Sequence, residues 1–353
     1  MQSIKLNEKI VKHLGRTLTQ DDILWLSLSG SGIEFLYTGT YLEICLQGDD
    51  HIDASTDHTR IAVYIDDKRV LDEMVKSSQP RYTIIDEQTP VTCAVRILKL
   101  SEAPMSIVGI RELIADDNAK ISPAPAKTHR VEFIGDSITC GYGTDDTDMA
   151  HTFSTSTEDV TKAYAYRTAQ MLDADYSIVS YSGYGVYSGF TDETTDIRNT
   201  SELVPPYYPL TGFSRGTYKG TALTMIDWDF RRFEPELIVL NLGTNDQSYC
   251  RNHSDRQAVF TSCYHDFLTL IHAKNPNAYI LCVYGIMNNE LIPCIEDAVD
   301  RYRKSSGSKR ISSLFLPTQT ESDGYVVDFH PSLYTHRQAA SAVFARICEI
   351  MRW

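Results

Sequence analysis

The hydrophobic pattern of this chain changes character once, between residues 116 and 130, and that change limits the architectures open to it. Before it, apolar residues recur every second position over short runs. "RIAVYIDDKRV" (60–70) sets Ile61, Val63 and Ile65 on one face and leaves Asp66-Asp67 to make a hairpin turn. "IEFLYTGTYLEICLQG" (33–48), broken at Thr38-Gly39-Thr40, reads the same way, as do "RYTIID" (81–86), "VTCAVRILKL" (91–100) and "SIVGIRELIA" (106–115). Many short strands separated by turns predict an all-β domain over residues 1–118, a β-sandwich or jelly roll. The stretch "DDNAKISPAPAKTH" (116–129) carries two prolines among alanines and polar residues, and places a linker at 119–129.

After it, strands alternate with helices. "RVEFIG" (130–135), "YSIVSYS" (176–182), "ELIVLNLG" (236–243), "AYILCVYG" (278–285) and "SLFLP" (313–317) are strand-like, and the near-continuous apolar runs among them suit central parallel strands. Residues 161–173, 255–275, 292–305 and 332–353 have helical spacing. This alternation predicts a three-layer α/β domain with a parallel sheet over 130–353. A chain of 353 residues, 42% hydrophobic and 23% charged, has enough length for two such cores.

A formal net charge of −14 with no compensating basic block argues against a nucleic-acid partner. No apolar run approaches the length of a membrane span, so no membrane partner is expected, and the oligomeric state is left open. The N-terminal "MQSIKLNEKIVKHLGRTLTQDD" has neither an apolar h-region nor a small-residue cleavage site. Eight scattered cysteines show no C-x-x-C pair and read as free thiols. Together these two features lead to the expectation of a cytoplasmic protein.

Open α/β sheets bind ligands beyond the carboxyl ends of their strands. The residues that follow the strands are therefore the candidates for chemistry. They are Asp136-Ser137, the turn Gly183-Tyr184-Gly185, Thr244-Asn245-Asp246, and "DFHPS" (328–332) after the last strand. A serine hydroxyl needs a base within reach. His330 can take its proton near neutral pH, and Asp328 is the candidate to hold the other imidazole nitrogen. The N–H of Ser137, an N–H of the glycine turn (Gly185, with Gly183 as the alternative) and the Asn245 side chain are the candidate oxyanion donors. Read alone, Ser137 is a helix N-cap, Asp136 a turn support and Asp246 structural; the other blocks favour the nucleophile reading of Ser137. Cys140 reads as a small buried residue. His253, His265, His272 and His336 read as surface or capping histidines, and none has metal-ligand spacing.

In this order the blocks "FIGDSITCGYG", "SYSGYGVY", "LNLGTND" and "DFHPSLYTH" resemble the four blocks of the SGNH hydrolase superfamily. With "GSGIEFLYTGTYLEI" in front of them, the finer resemblance is to carbohydrate esterase family 2 and covers nearly the whole chain. It implies a jelly roll joined to an SGNH hydrolase domain that removes O-acetyl groups from mannan, glucomannan or xylan, with no metal or other cofactor. Most SGNH enzymes carry the acid three residues before the histidine. Here that position is Val327, and Asp328 stands two before His330. A Ser137–His330 dyad with the imidazole oriented by a backbone carbonyl therefore stands beside the triad.

Tyr187, Trp228 and Phe329 are the candidate sugar-facing aromatics, and "PPYYPLTGFSRGTYKG" (205–220) is either a sugar platform or a surface loop. The expected partner is an acetylated oligosaccharide or polysaccharide. The alternatives are an esterase for longer acyl chains and a sugar-binding protein without activity.

Overall fold

The computed structural model describes residues 1–54 and 56–353. The chain forms two units. One comprises Met1–Lys127, Ser154–Glu158 and Leu210–Trp228; the other comprises Thr128–Phe153, Asp159–Pro209 and Asp229–Trp353.

The first unit is all β. Its strands are β1 (Gln2–Ile4), β2 (Lys12–Leu14), β3 (Thr17–Gln20), β4 (Ile23–Leu26), β5 (Gly32–Gly48), β6 (Arg60–Ile65), β7 (Lys68–Met74), β8 (Arg81–Lys99), β9 (Val108–Ala115) and β10 (Lys120–Pro123). They make one antiparallel sheet around β5. One edge of β5 pairs with β8 from Gly32↔Leu98 to Cys45↔Arg81. Its other edge is shared by β2, β10 and β9 in turn. The register slips between Gly39 and Tyr41, and bulges of this kind bend a strand. The sheet curls as a result, and its inner face encloses a core that includes Phe35, Leu42, Ile44, Val63, Val95, Ile97 and Ile110.

Asp66 and Asp67 have φ of 46° and 64°, the left-handed pair that a two-residue hairpin turn requires. The expected hairpin is therefore present. The expected break at Thr38-Gly39-Thr40 is different: residues 32–48 form one strand. The Asp116 carboxylate accepts from the amides of Thr40 and Tyr41 at 2.7 and 3.3 Å, which closes the irregularity as a bulge. Residues 81–99 likewise run as one strand.

The division expected at 119–129 also shifts. Lys120–Pro123 is strand β10, paired with Phe35–Thr38, and the first unit extends to Lys127. Two later segments join that unit through contacts remote in sequence. The Arg16 guanidinium donates to the Leu210 carbonyl at 2.6 Å, and the Glu102 amide donates to the Glu158 carboxylate at 2.7 Å.

The second unit has a five-stranded sheet of β11 (His129–Gly135), β12 (Ala174–Ser180), β13 (Leu237–Asn241), β14 (Tyr279–Ile286) and β15 (Ile311–Thr318). Its order is β12-β11-β13-β14-β15, with every pair parallel. All five residues of β13 are buried, which accounts for its unbroken apolar run. The helices are α1 (Ser137–Cys140), α2 (Tyr164–Met171), α3 (Thr244–Cys250), α4 (Ser254–Lys274), α5 (Ile292–Ser306) and α6 (Leu333–Met351). Packing of α2 against α6 and of α4 against α5 gives the helical layers of the expected α/β domain. A helix beginning at Ser137 agrees with the helix-terminus reading of that residue, whereas α3 was not expected, because "TNDQSYC" is too short and too polar to show helical periodicity. Among the described residues no helix is long and apolar enough to cross a membrane.

Candidate active site

The carboxyl end of β11 runs directly into α1. A Cβ at Gly135 would lie 2.0 Å from the Thr139 hydroxyl, so only glycine permits this junction. Asp136 is the N-cap, and its carboxylate accepts the Ile138 amide at 3.1 Å. Ser137 is then the first helical residue rather than the cap, and its N–H has no intrahelical acceptor. This leaves the Ser137 hydroxyl for another partner, and it lies 2.8 Å from His330 Nε2.

His330 Nδ1 lies 3.2 Å from the backbone carbonyl of Asp328. The Asp328 carboxylate, expected as the third member of a triad, faces elsewhere and accepts the Tyr142 hydroxyl at 2.6 Å. The backbone explains the exchange. Asp328 and Phe329 adopt φ of 52° and 59° in succession. Left-handed geometry at a non-glycine residue costs roughly 1–3 kcal/mol. It turns the Asp328 carbonyl toward the imidazole.

Burial pushes the His330 pKa down to about 4, against the opposing pull of the Asp328 charge. The ring is therefore neutral at pH 7. With its proton on Nδ1, donated to the carbonyl, Nε2 is left as the acceptor for the serine O–H.

The turn after β12 is organised by α3. Asp246 accepts the amides of Val186, Tyr187 and Ser188 at 3.1, 2.7 and 2.9 Å. Burial raises its pKa to about 6 against these three donors, which favour the carboxylate. Asp136 is pushed up to about 7, first by burial, with the Asp246 charge adding to it. Asn245 Nδ2 donates to the Tyr184 carbonyl at 2.9 Å, and its second contact, to Asp136, is only 3.5 Å. That second hydrogen is the one available to a developing negative charge.

The first-choice backbone donor, Gly185, is corrected by its hydrogen bonding. Its N–H donates to the Glu202 carbonyl at 3.1 Å within a bridge to Leu203. The alternative, Gly183, has an N–H that meets no acceptor among the described residues.

The aromatic candidates separate by burial. Phe329 is 61% exposed and open to a ligand. Tyr187 is only 8% exposed, packed near Tyr249 and the Arg198 guanidinium. Trp228 is 7% exposed within the first unit, 5.6 Å from the Arg16 guanidinium, and is not an open platform. In the 205–220 stretch, Tyr208 is fully buried and donates to Glu132 at 2.8 Å, so it is core. His336, read as a surface residue, is also buried, and its Nδ1 accepts the Tyr164 amide at 3.2 Å. Cys140 is buried as expected. Sequence reasoning missed Tyr142, whose ring stacks on His330; its only signal was its place in the serine block.

The profile of the GDSL-like Lipase/Acylhydrolase family matches residues 133–346, and that of the carbohydrate esterase 2 N-terminal domain matches residues 13–125. The chain is 30% identical over 242 residues to "Cellulase/esterase CelE" of Acetivibrio thermocellus, a match covering 67% of this chain and 27% of that protein. The chain thus spans about a quarter of that relative's length. It is 24% identical to an "Acetylxylan esterase / glucomannan deacetylase" of Cellvibrio japonicus, over 99% of this chain and 92% of the relative. The solved structure of an acetyl xylan esterase, Est2A, from the rumen bacterium Butyrivibrio proteoclasticus superposes with a TM-score of 0.88 at 23% identity, covering 100% of this chain and 99% of that one. With the curled β unit and the parallel-sheet unit both matched, the chain belongs to the GDSL-like lipase/acylhydrolase family and, within it, to carbohydrate esterase family 2.

Proposed function

We propose that this chain is a serine esterase that removes O-acetyl groups from plant polysaccharides or the oligosaccharides derived from them, of the xylan or mannan and glucomannan type. The observation that carries the reading is the 2.8 Å contact between the Ser137 hydroxyl and the Nε2 of a neutral, half-buried His330. Ser137 attacks the acetyl carbonyl while His330 takes its proton. The same imidazolium returns the proton to the departing sugar oxygen. Water, deprotonated by His330, then hydrolyses the acetyl-Ser137 ester.

The amides of Ser137 and Gly183 and the side chain of Asn245 serve as oxyanion donors in this reading. The Asp328 carbonyl, rather than its carboxylate, orients the base. Phe329 offers an exposed aromatic face to the sugar. The substrate class rests on the relatives' own descriptions as acetylxylan esterase and glucomannan deacetylase.

The test is NMR of acetylated xylan and mannan oligosaccharides before and after incubation. The expected result is acetate release from at least one of them, abolished in Ser137→Ala. Release that survives Ser137→Ala refutes the nucleophile. On nitrophenyl esters, a rate maximum at octanoate refutes the acetyl specificity.

A further inference from the structure

Three aromatic rings are stacked beside the candidate base. Tyr142 lies between Phe153 and His330, with centroid separations of 4.2 and 4.0 Å and interplanar angles of 17° and 23°. The same residue's hydroxyl donates to Asp328 at 2.6 Å. Tyr142 therefore touches both the imidazole and the residue whose carbonyl orients it. The turn it reaches is the strained one, with two successive left-handed residues. Such a turn persists only where its surroundings hold it. Gln319 supplies a second hold, donating to the Phe329 carbonyl at 2.7 Å. In this arrangement the Asp328 side chain serves as a handle for the backbone.

We propose that Tyr142 is a positioning residue for His330, its ring fixing the plane of the imidazole and its hydroxyl holding the Asp328 turn so that the carbonyl faces Nδ1. The inference rests on the esterase reading above. It adds a residue that reaches the reaction only through the base. A carboxylate in the usual third position would orient the imidazole directly. Here the job is divided between a carbonyl and the tyrosine that fixes the carbonyl's direction.

The test uses the full chain and nitrophenyl acetate. Tyr142→Phe keeps the stack and removes the hydrogen bond; its kcat is expected to fall about tenfold, the worth of one such bond, with KM little changed. Tyr142→Leu removes both, and its kcat is expected to fall about 100-fold, as for a reacting group misplaced by about 1 Å. Asp328→Ala is expected to lose as much as Tyr142→Phe, and the double variant no more than either. Full additivity of the two, or a Tyr142→Leu kcat within twofold of the parent, overturns the proposal.

A histidine NMR titration of the free protein needs no turnover, so it separates this inference from the esterase reading. Asp328 is the titratable group whose charge acts on His330, and His330 in turn acts on His336. The His330 pKa is expected to rise from about 4 toward the ordinary histidine range in Tyr142→Leu, as the ring that covers it is removed. An unmoved His330 titration in a folded Tyr142→Leu refutes the clamp. Should Tyr142→Leu not fold, the Tyr142→Phe kinetics and the cycle with Asp328→Ala decide alone.

Discussion

At His330, the burial that lowers the imidazole's proton affinity also keeps it unprotonated for its task. Because its pKa is lowered to about 4, the base is neutral from mildly acid to alkaline pH. The acid limb of kcat/KM is therefore expected near pH 4 in a pH–rate profile, and a limb at the ordinary histidine value near 6.5 would refute the lowered pKa. The neighbouring acid behaves differently from a triad carboxylate. Where a carboxylate orients the histidine, its amide replacement costs about 10⁴-fold in kcat. Here the Asp328 carboxylate meets Tyr142 and the carbonyl does the orienting. Asp328→Asn, which still offers an oxygen to the tyrosine, is expected to keep turnover within about threefold, since one neutral hydrogen bond replaces a charge-assisted one. Asn245→Ala is expected to lower kcat by about 10²–10³-fold, the usual worth of one oxyanion donor.

The elements that carry these residues are short and held by side chains. Four residues of α1 cannot stabilise themselves, and Asp136 supplies the cap that its first turn needs. The turn after β12 has no regular structure of its own through 186–188, so its amides depend on Asp246. Removing a buried acceptor strands its donors, at about 1–3 kcal/mol each. Asp246→Ala is accordingly expected to lower unfolding stability by about 3 kcal/mol or more and to reduce kcat, measured by urea denaturation and acetate release. Retention of wild-type stability would show that the turn is held by something else. The sequence marked Asp246 as structural but had no means of naming its partners, which come from a different strand's exit.

Across the whole molecule, buried groups of opposite sign balance its response to acid. His330 and His336 have pKa values lowered to about 4 and about 3 by burial. Their contribution is fully present above about pH 6.5 and is lost as pH falls toward 4, because the unfolded chain binds protons first. Asp136 and Asp246, raised to about 7 and about 6, act the other way. The folded chain binds their protons first, so their contribution grows as pH falls from 7 toward 4. Asp136→Asn keeps a competent helix cap and removes one of the two groups that gain. Between pH 7 and 4.5 it is expected to lose about 2 kcal/mol more stability than the parent, read from urea midpoints. An identical pH dependence would refute the raised Asp136.

The sequence by itself determined the two classes of unit, the Asp66-Asp67 hairpin, and the set of loops bearing Ser137, Asn245 and His330. These follow from apolar periodicity, turn chemistry and strand order, which are written locally. Only the tertiary structure decided which atom of Asp328 faces the imidazole, which glycine has an N–H that meets no acceptor among the described residues, and that residues 154–158 and 210–228 join the first unit. Each of these depends on a backbone angle or on a partner remote in the chain. Val327 and Asp328 differ by one place in sequence. It was the left-handed turn at Asp328 and Phe329 that gave the carbonyl the position where a carboxylate was expected.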